Sequence, residues 1–105
     1  MDDAHMNDNG VLVLGPELTI AFASQWREAL LDALATSKGD LRVDLAGVSD
    51  FDSSGVQLLL ASTRSLAARG HALVITQAAD AVRDALATFG LQALLPAAAT
   101  PTPGD

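Results

Sequence analysis

The chain has 105 residues, half of them hydrophobic, enough to build one compact core but not two. Thirteen acidic residues against six basic ones leave a formal charge of −7, which argues against a nucleic-acid partner and towards basic protein surfaces. The lack of cysteine removes disulfides and thiolate metal sites. No apolar run approaches the roughly 20 residues that span a bilayer, and the first residues are acidic where a signal peptide is basic, so a cytoplasmic domain without direct membrane insertion is expected.

Residues 1–9 are polar, rich in Asp and Asn and without a period, and read as a mobile lead-in. Residues 11–14 form a continuous apolar run closed by Gly15-Pro16, the pattern of a strand buried on both faces and ended by a turn. An antiparallel pairing at its edge is compatible with this reading. A brief second strand is expected over residues 17–20. Trp26, Ala29, Leu30, Ala33 and Leu34 then recur at helical spacing, with Glu28 and Asp32 opposite, which predicts a helix over 23–37 stopped by Lys38-Gly39. Trp26 is in phase with that apolar stripe and reads as core.

Leu41, Val43 and Leu45 alternate with Arg42 and Asp44, so residues 41–46 read as a strand. Residues 48–55 are expected to be a loop. A second helix starts at Ser53 or Ser54, carries Val56, Leu59, Leu60, Thr63 and Ala67, and stops at Arg69-Gly70. A strand over 72–76 follows, and then a helix capped by Asp80 that carries Val82, Leu86 and Phe89 to Gly90. Residues 91–95 should pack back on the core. From Pro96 the run PAAATPTPGD cannot bury enough apolar surface to order itself. The expectation is an α/β domain over residues 10–95, with a mixed, mostly parallel sheet of four to five strands and packed helices, and a disordered tail over 96–105.

The informative stretch runs from Leu41 to Leu60 and contains Asp50-Phe51-Asp52-Ser53-Ser54-Gly55. A hydroxyl at a helix N-terminus lies beside unpaired N–H groups and the positive end of the dipole, which favours a phosphate there. Asp52 in that position binds a neighbouring N–H, orients the hydroxyl, or helps hold a metal-nucleotide brought by a kinase. The plainer alternative is that Ser54 to Gln57 is an S-x-x-Q capping box, in which the serine only satisfies an orphan N–H.

This stretch resembles the signature of the STAS domain family, named for sulfate transporters and anti-sigma factor antagonists, in which an Asp-Ser-Ser-Gly turn opens the second helix. The resemblance extends over roughly residues 10–95, including Glu17 to Ile20 and the Gly90-Leu91 closure. In the anti-sigma antagonist branch the serine directly before the glycine is phosphorylated by a partner kinase, so the resemblance assigns that role to Ser54. It aligns Asp52 with the aspartate before the serines and Asp44 with an acidic or amide position at the end of the central strand. The surface it implies comprises Asp44, Asp50, Asp52, Ser53, Ser54, Gly55 and Gln57.

The partner implied is a protein: an anti-sigma factor or serine kinase, or a signalling or transporter subunit. Phe22 stands where the family often has a helix-capping Thr, and Gln57 where sporulation-type and stress-type antagonists usually have glycine. The continuation from Gly55 to Ala61 is more similar to STAS proteins of chemotaxis gene clusters or of lipid-transport ATP-binding cassette systems. Catalysis by Ser54, His71 and Asp52 is not expected, because nothing in the sequence brings His71 to Ser54 and no Gly-x-Ser-x-Gly elbow is present. Asp44, Asp50 and Asp52 lack the ordered spacing of a calcium loop, so no metal is assigned. Weak nucleotide contact near the same loop is a third alternative, without a phosphate-binding glycine motif to support it, and no cofactor is assigned.

Overall fold

The computed structural model describes residues 3–7 and 9–94. The strands are β1 (Asp3–Met6), β2 (Val11–Gly15), β3 (Glu17–Leu18), β4 (Leu41–Leu45), β5 (Asp50–Phe51) and β6 (Leu73–Ala78), and the α-helices are α1 (Ala23–Thr36), α2 (Ser53–Ala67) and α3 (Asp80–Thr88). The main sheet has the order β1-β2-β4-β6. β2, β4 and β6 run parallel, and β1 pairs antiparallel with β2. This is the mixed, mostly parallel sheet expected, with helical crossovers linking the parallel strands.

Alternation along the strands makes the domain two-layered. Leu12, Leu14, Leu41, Val43, Leu45, Leu73 and Ile75 are buried on one face, where they join Trp26, Leu30 and Leu34 of α1, Val56, Leu59 and Leu66 of α2, and Val82 and Leu86 of α3 in a single cluster. Arg42 and Val74 point to the opposite, open face. β2 is therefore not buried on both faces: Leu12 and Leu14 are buried, whereas Val11 and Val13 are only half-buried. Trp26 is fully buried, and its indole N–H donates to the carbonyl of Glu17, which ties α1 to β3.

Residues 3–6, expected to belong to a mobile lead-in, form the edge strand β1 instead. The backbone groups on that side of β2 require partners, and Asn7 shapes the turn that supplies them. Its Oδ1 accepts the N–H groups of Asn9 at 2.8 Å and Val11 at 3.0 Å. Gly10 completes the turn with φ +77°. The tail expected over 96–105 lies outside the described residues.

Smaller departures have local causes. Along β4 and β6 the register slips between Val43 and Asp44, and the hydroxyl of Thr76 donates to the Val43 carbonyl at 3.1 Å, the mark of a bulge that carries β6 on to Ala78. Arg69 does not serve its own helix: its Nη1 donates to the Leu34 carbonyl at 2.7 Å in the last turn of α1. Asp80 is the first residue of α3, whose N-cap is Ala79 with no side-chain cap. Phe89 is 53 % exposed, while Leu91 and Leu94 pack back on the core as expected.

Candidate functional site

β4 leaves the sheet through a turn shaped by its own carboxylate: Asp44 Oδ1 accepts the Ala46 N–H at 2.9 Å. The chain then passes beside β3. The N–H groups of Ser49 and Asp50 donate to the Pro16 carbonyl at 2.7 and 3.3 Å, and that of Asp52 to the Leu18 carbonyl at 3.3 Å. Residues 50–51, expected within a loop, thus form β5, parallel to β3, with Asp50 opposite Glu17 and Phe51 opposite Leu18.

Asp52 closes this arrangement. Its backbone is extended and it is the N-cap of α2: Oδ1 accepts the Ser54 N–H at 2.9 Å, and its carbonyl accepts from Gly55 at 3.0 Å and Val56 at 3.2 Å. Oδ2 accepts the N–H of Ile20 at 3.0 Å. The capping box read at Ser54 to Gln57 is therefore not formed, because Ser54 is already the second helical residue and Asp52 serves as the cap. A carboxylate here gains from the helix dipole and has a second oxygen for Ile20. Both oxygens of the Asp52 carboxylate are thus engaged with the backbone.

Gly55 is also internal. A Cβ at this position would lie 2.6 Å from Phe51 Cε1 and 2.9 Å from the Leu18 carbonyl oxygen, so only glycine lets the first turn of α2 press on β3 and β5. Gly55 was expected at the partner surface; it is buried and offers a partner no side chain.

What remains outward is compact. Ser53, Gln57 and Asp50 are exposed and Ser54 is half-buried. Ser54, Gln57, Leu58 and Ala61 of α2 face Ala23, Ser24 and Arg27 of α1 across an open groove of about 400 Å³. Ile20, on the turn fastened by Asp52, is 76 % exposed. Ile20 and Arg27 were not singled out from sequence. Ile20 sits at the end of an apolar run that reads as strand, and Arg27 is an ordinary cation on an amphipathic helix.

His71 is at the far end of α2, where its Nδ1 lies 3.8 Å from Asp40 Oδ1. α2 is fifteen residues long and Ser54 is its second, so the two ends lie roughly 20 Å apart at 1.5 Å per residue. Ser54, His71 and Asp52 therefore do not assemble as a catalytic set. Among the described residues, no group of three or more His, Asp or Glu side chains is placed to hold a metal ion, and no helix is long and apolar enough to cross a membrane.

Comparison of the sequence with curated proteins found no match. In fold, the chain is similar to the anti-sigma factor antagonist SpoIIAA in its unphosphorylated form, with a TM-score of 0.72 and 22% identity over 91% of this chain and 86% of that one. An anti-sigma factor antagonist from Mycobacterium paratuberculosis gives a TM-score of 0.75 and 22% identity over 91% and 82% of the two chains. At this identity the likeness establishes the shared fold. The family model described as "Mlab, STAS domain" matches residues 1–96, and the chain accordingly belongs to the STAS domain family.

Proposed function

We propose that this chain is a non-catalytic, cytoplasmic regulatory module that binds a protein partner through the Ser54 end of α2, and that a phosphate on Ser54 switches the binding. The observation that carries this reading is the division of labour at the helix start. Asp52 and Gly55 lock the turn from inside, and Asp44 shapes the strand exit behind it. Ile20, Asp50, Ser53, Ser54 and Gln57 remain as one outward patch on a rigid base. Pre-organised polar groups beside one exposed aliphatic side chain suit protein recognition. The partner in this reading is an anti-sigma factor that also acts as the serine kinase; the names of the proteins that share the fold support the anti-sigma factor part of it.

The test compares Ser54→Ala with Ser54→Asp for partner affinity, with Ser53→Ala as the neighbouring control and Ile20→Ser as a probe of the apolar contact. Ser54→Asp and Ile20→Ser should each weaken binding about tenfold or more, and Ser53→Ala should leave it unchanged. If both Ser54 variants and Ile20→Ser bind like the wild type, the surface is elsewhere. A second reading, an accessory subunit of a lipid-transport ATP-binding cassette complex, is favoured by the family model matched and by Gln57. It would be recognised by co-purification of an ATP-binding cassette subunit instead of a kinase.

A further inference from the structure

The groove between α1 and α2 contains a cation that has no partner among the described residues. Arg27 is the only charged residue among those lining it, and its guanidinium makes no hydrogen bond or ion pair among the described residues. Ser54 lines the same groove from the opposite helix. We propose that Arg27 is the receptor for a phosphate on Ser54, with the Gln57 side-chain amide as a second donor. This rests on the reading of Ser54 as the modified residue.

The helix start itself supplies little of the receptor. The N–H groups of Ser54, Gly55 and Val56 are already taken by the carboxylate and carbonyl of Asp52, which leaves that of Ser53 in the first turn, so a phosphate here gains most from side-chain donors. Arginine suits this role, because its fork of donors matches two phosphate oxygens at once. Ala23, Ser24 and Ala61 are small and keep the groove open at about 400 Å³, leaving space for the anion between the helices. Gln57 follows Ser54 by three residues and so shares its helix face. Apolar lining continues the seam beyond Arg27 through Leu30, Leu31, Leu34 and Leu58. Drawing Arg27 towards Ser54 would reshape the mouth of that seam as well as its charge.

The experiment places phosphoserine at position 54 of the full chain and follows its ³¹P resonance through a pH titration in wild type, Arg27→Gln and Arg27→Lys. A neighbouring guanidinium favours the dianion, so the second phosphate pKa should be lower in wild type and rise by about half a unit or more in Arg27→Gln. Arg27→Lys should keep part of the lowering, and 1 M salt should shrink the difference. The Arg27 Nε–H resonance should also move when Ser54 is phosphorylated. Equal phosphate pKa values in wild type and Arg27→Gln, with an unmoved Nε–H resonance, would overturn the proposal. Arg27 is exposed, so these variants should melt like wild type. The phosphate is installed directly and no partner is present, so a partner indifferent to Ser54 would sink the functional reading without altering this result.

Discussion

The carboxylate of Asp52 accepts the backbone N–H of Ile20 at 3.0 Å across 32 residues of chain while its other oxygen caps α2 at Ser54. One side chain thus fastens the turn before α1 to the start of α2, and the spacing between Ile20 and Ser54 is a property of that carboxylate. Asp52→Ala removes both acceptors. The expected loss is about 1–2 kcal/mol in urea unfolding, since a lost cap costs about 1 kcal/mol and the exposed Ile20 N–H can return to water. Asp52→Asn, which keeps one acceptor, should fall between Ala and wild type. Stability unchanged in Asp52→Ala would show that the bridge contributes nothing.

Gly55→Ala sets two effects against each other. Alanine gains about 1 kcal/mol of helix propensity over glycine, but its Cβ would sit 2.6 and 2.8 Å from ring atoms of Phe51 and 2.9 Å from a backbone oxygen. Overpacking of this kind costs about 1–3 kcal/mol, and the backbone oxygen cannot swing away as a flexible side chain can. The variant should melt lower than wild type. Adding Phe51→Leu should recover part of the loss, and a double-mutant cycle measures the coupling.

Ser54→Ala should change stability by no more than about 0.5 kcal/mol, because the cap is Asp52 and alanine is a good helix former. A serine acting as N-cap would cost about 1 kcal/mol on the same substitution. Guanidinium unfolding of Ser54→Ala beside Asp52→Ala separates the two assignments, with the larger loss expected for Asp52.

The N-cap of α3 is Ala79, whose φ of −70° and ψ of 164° are those of a cap, yet it makes no side-chain cap bond. Ala79→Ser should supply one and raise stability by about 0.5–1 kcal/mol, read as a higher denaturation midpoint with unchanged m-value. An unchanged or lowered midpoint would mean that the half-buried site does not accept the hydroxyl in capping geometry.

The main elements were legible because their signals are local. Alternation of Leu41, Val43 and Leu45 with Arg42 and Asp44 marked β4, and the stripe of Trp26, Leu30 and Leu34 marked the buried face of α1. The strand-helix alternation indicated a mostly parallel sheet. β1 was missed because the alternation in Asp3–Met6 is only four residues long and rests on Ala4 and Met6, without a β-branched or aromatic residue. It is held by the edge of β2 and by the turn at Asn7, and a strand recruited by its neighbour leaves little trace in its own composition. β5 was missed for a related reason, being two residues long and fixed by the backbone of β3.

At the site, the sequence by itself placed Asp52, Ser53, Ser54 and Gln57 at the opening of α2, since a polar turn before an apolar helical stripe marks a helix start. It could not decide whether Asp52 or Ser54 caps the helix, because both are good caps and the choice was made by Ile20, 32 residues away, which uses the second carboxylate oxygen. Nor could it assign Gly55 to an internal role, which follows from Phe51 and Leu18 pressing on its Cα. Arg27 came to line the same groove as Ser54 only through the packing of α1 on α2. Periodicity determines which side of an element is apolar, whereas contacts between elements distant in the chain depend on how those apolar sides dock, and only the tertiary structure decides that.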